Sequence, residues 1–202
     1  MTEIIDIHTH RPGPQSILNV EPGDPVPAQP FSVGIHPWHL HDATPQLWER
    51  LEFMASQPGC MAIGETGFDP NAGASLSEQA EAFERHVALS ERLGKPVIVH
   101  CVKSLDALIG ARRRLQPAQP WIWHGFRGSP EMADQLRRHG ILYSLGPRFN
   151  PATAASTPLA ELLLETDDDP SVTIADVADR VAQVRGMSTR EVLDNAKTFV
   201  NL

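Results

Sequence analysis

Short runs of apolar residues recur along this chain at intervals that leave room for a helix between most of them. The runs are IIDIH, SILNV, FSVGIHP, MAIGET, PVIVHCV, WIWHGF, ILYSLG and LAELLLETD, rich in Val, Ile, Leu and Met and bounded by turn-forming residues. Their apolar character is continuous rather than alternating, as strands covered on both faces of a parallel sheet require. The helices between them are legible from their ends. Thr44-Pro45 before QLWERLEFMAS offers a capping oxygen and a residue whose fixed φ suits the first helical position. Ser77 is expected to open a long amphipathic helix, EQAEAFERHVALSERLG, that stops at Gly94, and Ser129-Pro130-Glu131 repeats the start signal. Residues 11–30 break the rhythm, because six prolines in RPGPQSILNVEPGDPVPAQP remove amide donors and leave no room for a helix between the first strands. Strands alternating with helices in this way predict an α/β fold, a TIM-type (β/α) barrel that is contracted or irregular near its start.

Composition narrows the picture. A chain of 202 residues with 41% apolar and 21% charged positions is expected to form one globular domain over 1–202. The formal charge of −8 excludes a generally sticky nucleic-acid binder, since neutralising phosphates takes a dense positive surface, and leaves only a local basic patch open. Cys60 and Cys101 are the two cysteines, too few for a disulfide framework and expected to be reduced. With no charged leader and no long apolar run, neither export nor membrane insertion is expected, and a cytoplasmic enzyme is the natural reading.

The chemistry lies in where metal-capable side chains fall. His8 and His10 follow IIDI, and strand positions two apart point the same way, so the pair can grip one ion. Glu65 closes MAIG-E, His100 closes VIV-H, His124 closes WIW-H and Asp167 closes LLLET-D, each at the carboxyl end of an apolar run, the end that carries chemistry in barrels. Six ligand-type residues from five strand ends predict a centre for divalent cations, with zinc, manganese and magnesium as candidates. Glu165, two residues before Asp167, is expected on the same side as a hydrogen-bond partner of a ligand. His36, in GIHP, is read as a contact to substrate or to a metal-bound oxygen, with shaping of a Pro-containing turn as the alternative. His39, His41 and His86 are read as surface or helix residues outside the cluster, and Trp121 and Trp123 as core residues sharing one strand face.

The order DIHTH, GIHP, GETGFD, VIVHC, HGFRGS and LLLETD resembles the TatD-like metal-dependent hydrolases, and most of all their shorter members. The resemblance covers nearly the whole chain. It implies a TIM-type barrel, two divalent metals per chain and hydrolysis of phosphodiesters in DNA. By motif it implies that His8, His10 and Asp167 hold one metal, that His100 and His124 hold the other, and that Glu65 bridges them. Three departures bear on the substrate: the segment after HTHRPG lacks the helices of longer members, Trp38 replaces the second His common after GIHP, and ETDDDPS lacks the common Ser-Pro-Tyr continuation.

Two cations can lower the pKa of a water and neutralise charge on a phosphoryl oxygen. Asp167 and Glu65 are therefore the catalytic candidates, with Asp167 both ligating and accepting the proton of the attacking water. Lys103, Arg127 and Arg148 fall on the same expected rim, where they would bind the phosphate of a phosphoester, a DNA end or a short single strand. The alternative is an amidohydrolase-type lactonase or amidase, because the same chemistry attacks carbonyls. Many such centres are bridged by a modified lysine, and no Lys ends the fourth run. A binding protein without turnover would not need six ligands, since a structural site closes with four. A polymerase-and-histidinol-phosphatase type of site would need more strand-end histidines than the chain supplies.

Overall fold

In a computed structural model, residues 4–196 and 199 are described. Eight strands follow in chain order: β1 (Asp6–Thr9), β2 (Ser16–Val20), β3 (Phe31–Val33), β4 (Cys60–Phe68), β5 (Val97–Cys101), β6 (Trp121–Trp123), β7 (Ile141–Leu145) and β8 (Leu163–Leu164). Hydrogen-bonded neighbours run from β1 to β8 and the order closes, with β8 parallel to β1. The expected (β/α) barrel is therefore present, and it is irregular where expected, with no helix in either of the first two connections.

Helices α1 (Pro45–Ala55), α2 (Leu76–Leu93), α3 (Leu105–Leu115), α4 (Pro130–Arg138), α5 (Pro151–Ser156), α6 (Ile174–Arg185) and α7 (Thr189–Asn195) supply the rest. Thr44 and Ser129 cap α1 and α4 as read from the sequence. The start of α2 differs. Ser75, not Ser77, is its N-cap, because Ser75 and Glu78 satisfy each other's backbone amides in a capping box. Gly94 ends α2 with φ +64. LAELLLETD is not one strand either: a 3-10 turn occupies Leu159–Glu161 and only Leu163–Leu164 pair as β8.

The chain forms two compact units, one from the chain up to Ile17 together with the chain from Trp123 onward, the other from Leu18–Ile122. In the second, Phe31, Val33 and Ile35 pack with Leu51 and Met54 of α1 and Ile63 of β4 into one apolar cluster. In the first, Ile7, Leu145, Leu163, Val177 and Val181 are wholly buried. Trp121 and Trp123 are buried as core residues. Cys60 and Cys101 are free and buried, and burial pushes their thiols up to about 11 and about 12. Among the described residues no helix is long and apolar enough to cross a membrane.

Candidate metal centre

In the first unit the donors are set by backbone pairing. Asp167 lies beyond β8, and its N–H donates to His8 O at 3.0 Å while its C=O accepts from His10 N at 3.1 Å. This bridge between Thr9 and Asp167 fixes the carboxylate against the strand that carries both histidines. Asp167 Oδ1 stands 3.8 Å from His8 Nε2 and 3.6 Å from His10 Nε2. His8 is fully buried whereas His10 is 40% exposed, so the group has a packed side and an open one. The His124 ring is centred 4.2 Å from that of His8, and its Nδ1 is 3.6 Å from Glu165 Oε1. Donor atoms of His8, His10 and Asp167 form one group within 4.8 Å, and those of His124, Glu165 and Asp167 form a second. Glu165 is wholly buried and takes a 2.5 Å bond from Ser144 Oγ on Oε2. Among the described residues no hydrogen bond reaches its Oε1. A buried carboxylate oxygen without a donor is costly unless a cation or proton meets it, so the donor set fits a divalent ion. Asp6 braces the same loop by accepting from Thr166 N and Oγ1 at 3.1 and 2.7 Å. Burial still pushes its carboxyl up to about 6.

In the second unit Glu65 is the hub. β4 continues three residues past it to Phe68, so Glu65 lies within the strand rather than at its end. Its Oε1 is 3.3 Å from His36 Nε2 and 2.7 Å from His100 Nδ1, and the three residues form a further candidate cation group. Asn19 Oδ1 accepts from Glu65 N–H at 2.9 Å. Gly67 permits the close approach of β4 to β5: it has φ +150, and a Cβ there would lie 2.0 Å from His100 O. The second ring nitrogen of His100, Nε2, is 3.1 Å from Asp69 Oδ2, the outer carboxylate partner that orients many metal-binding imidazoles. Burial opposes ionisation of Asp69, but bonds from Asn71, His100 and Trp38 outweigh it and hold the carboxyl below its ordinary range.

Behind this group His86 of α2 is fully buried, not at the surface. Its Nε2 accepts from Ile35 N–H at 3.0 Å, and its Nδ1 lies 2.7 Å from Ala82 O and 3.2 Å from Thr66 Oγ1. The ring thus ties the residue before His36 to the residue after Glu65. Burial lowers its pKa to about 4.

A family model described as TatD related DNase matches residues 27–201. The chain belongs to the TatD family of metal-dependent hydrolases. It is 30% identical over 183 residues to the uncharacterized metal-dependent hydrolase YcfH of Escherichia coli K12, covering 80% of this chain and 68% of that protein. It is also 30% identical over 146 residues to the 3'-5' ssDNA/RNA exonuclease TatD of Edwardsiella piscicida, covering 67% of this chain and 56% of that one. The fold matches that of the TatD homologue YJJV from Escherichia coli with a TM-score of 0.72 at 24% identity, over 82% of this chain and 73% of the other.

In this TatD-family chain Arg127 and Arg148 line a small cavity with Gly125, Gly146, Glu165 and Asp167. Arg148 also lies 3.9 Å from Asp168 Oδ1. Lys103 is exposed, with φ +47, just before the N-cap of α3. His36, read as a contact to substrate or to a metal-bound oxygen, stands among the donors. Asp69 was not read as a site residue from the sequence, although it closes the GETGFD motif, one residue beyond the end of β4.

Proposed function

We propose that this TatD-family hydrolase holds two divalent cations per chain, one in each unit, and hydrolyses phosphoesters, with nucleic-acid ends, short single strands and small phosphodiesters as its substrate class. The ligands are His8, His10, His124 and Asp167 in one unit and Glu65, His100 and His36 in the other. Such mixed imidazole and carboxylate sets suit zinc or manganese better than magnesium, which favours oxygen donors. The observation that carries the phosphoester reading is the small cavity that Arg127 and Arg148 line together with Asp167 and Glu165. Planar cationic forks match phosphate oxygens, and a carbonyl substrate has no use for two of them. The exonuclease name of the Edwardsiella relative points the same way.

A bound divalent cation supplies a lowered pKa for water and neutralises charge on a phosphoryl oxygen. Asp167 Oδ1 faces the two histidines, and its Oδ2 is the oxygen assigned to accept a proton from the attacking water. Glu65 holds His36 and His100 in place through Oε1. Arg127 and Arg148 hold the substrate phosphate.

The test is metal analysis followed by a screen on bis(p-nitrophenyl) phosphate, short single-stranded DNA and lactones. Expected are close to two cations per chain, loss of turnover in chelator, and turnover on phosphoesters that Asp167→Asn lowers by orders of magnitude while circular dichroism stays unchanged. Turnover confined to lactones, or full turnover without metal, overturns the proposal.

A further inference from the structure

Trp38 is anomalous among the tryptophans. Trp48, Trp121 and Trp123 are buried, whereas Trp38 is 52% exposed. An indole left in water is ordinarily free to swing, yet this one is pinned. Its Nε1 donates to Asp69 Oδ2 at 2.8 Å, and Asp69 is itself 1% exposed. Asp69 Oδ1 accepts from Asn71 N at 2.8 Å and Nδ2 at 2.9 Å. The Asp69 backbone is clasped on both sides by Gln79, with Asp69 N–H donating to Oε1 at 2.8 Å and Asp69 C=O accepting from Nε2 at 2.9 Å. The other end of the residue is fixed too, since Trp38 N–H donates to His36 Nδ1 at 3.2 Å.

This anchoring places the indole beside two cation donors. Its ring is centred 5.3 Å from that of His36, edge to face at 90°, and 6.4 Å from that of His100. Asp69 thus bonds His100 and Trp38 through the same oxygen, which ties the position of an exposed aromatic surface to that of a donor imidazole. No core is served by the exposed part of the ring. What a rigid, water-facing indole offers is a π surface for a flat ring, and every nucleobase has one.

We propose that Trp38 is a specificity-determining residue of this site, a platform on which a nucleobase of the substrate stacks when its phosphate is held at the His36, Glu65 and His100 group of the same unit. The inference rests on the phosphoester reading above. Stacking of this kind changes affinity on alanine substitution by about 5- to 150-fold.

Calorimetry on the manganese-loaded protein tests it with dAMP and with base-free deoxyribose 5-phosphate, which carries the same phosphate. Expected is tighter binding of dAMP than of deoxyribose 5-phosphate to the wild type. Trp38→Ala should weaken dAMP by about 5- to 150-fold and the base-free sugar by less than about twofold, while Trp38→Phe, which keeps a ring, recovers most of the loss. Equal binding of the two ligands by the wild type, no dAMP binding, or an equal effect of Trp38→Ala on both overturns the inference. Thermal melts of both variants identify a folding defect, and the phenylalanine variant then decides alone: the dAMP preference survives if the platform is real and disappears if it is not. Turnover of an oligothymidylate is measured in parallel. If the wild type cleaves no phosphoester, the functional proposal fails, and the calorimetry still decides whether the platform exists.

Discussion

His86 makes a quantitative test of how the second unit holds its donors. Nε2 accepts a backbone N–H from Ile35, so the ring must be neutral with its proton on Nδ1, which faces Ala82 O. A second proton would drive two N–H groups together in a dry pocket, where Arg85 already adds positive charge. The ring packs against Trp48 of α1, 5.0 Å between ring centres, and Thr66 of β4, neither of which supplies a compensating negative charge. The folded pKa is about 4 against an ordinary 6.5, so between those values the unfolded chain binds the extra proton and the folded chain does not. Stability from this group is therefore complete above pH 6.5 and is lost as pH falls toward 4. By linkage the loss is about 2 kcal/mol between pH 8 and pH 5, and about 3 kcal/mol once pH drops below 4. His86→Gln keeps a donor and an acceptor but does not titrate, and it should be less stable than wild type at pH 8 because the ring's packing is lost. The gap should narrow by about 2 kcal/mol at pH 5. Asp6, with its carboxyl raised to about 6, has the opposite sign, but it is present in both proteins and cancels in the difference. Urea unfolding of the two proteins in chelator across pH 5 to 8 measures the gap directly. Parallel curves over that range would mean that His86 is not held neutral, and the argument for its role would fail.

Three further outcomes are expected. Asp69→Asn should weaken zinc binding by about 10- to 100-fold through loss of the outer carboxylate on His100, measured by competition with a chelating dye. Gly67→Ala should cost about 3 kcal/mol in urea unfolding, since a Cβ at 2.0 Å from His100 O must push β4 and β5 apart; an unchanged midpoint would rule out that close approach. Binding of short single strands should depend weakly on salt, with a log–log slope of about −2, because Lys103, Arg127 and Arg148 neutralise at most about three phosphates; a slope steeper than about −6 would reveal an extended basic surface.

Much of the fold was legible because its strands are buried on both faces and its helices carry their own start signals. Thr44-Pro45 and Ser129-Pro130 need only local chemistry to be read, and the prolines of residues 11–30 excluded helices by the same kind of rule. The α2 start was misread by two residues because Ser75 and Ser77 are both good caps, and only the reciprocal bond from Glu78 selects between them. The run LAELLLETD yields a shorter strand than expected for another reason: its first residues, Leu159–Glu161, take a 3-10 turn that buries none of them, and an apolar run does not show where such a turn gives way to the strand. Among candidate site residues, the two-residue spacing drew attention to His8 and His10 and the ends of apolar runs to Glu65, His100, His124 and Asp167; the structure brings the donors of His8, His10 and Asp167 together. The place of His36 among the Glu65 donors, and the burial of His86, could not be read that way. Both depend on α2 and β4 meeting the chain near Ile35, contacts between residues about 30 to 50 positions apart that carry no local pattern.

Asp167 has a left-handed backbone, with φ +57. For an L-residue that conformation costs on the order of 1–3 kcal/mol, less for Asp than for a branched side chain. Folding and chemistry therefore ask for different residues at one position. Glycine would relax the turn and keep the backbone bonds to His8 and His10, but it would delete the carboxylate. Selection for a durable fold alone would drift toward glycine there, and only selection for the reaction keeps the acid. A glycine at this position in a chain that otherwise preserves DIHTH would thus mark a lineage that has kept the scaffold after abandoning the catalysis.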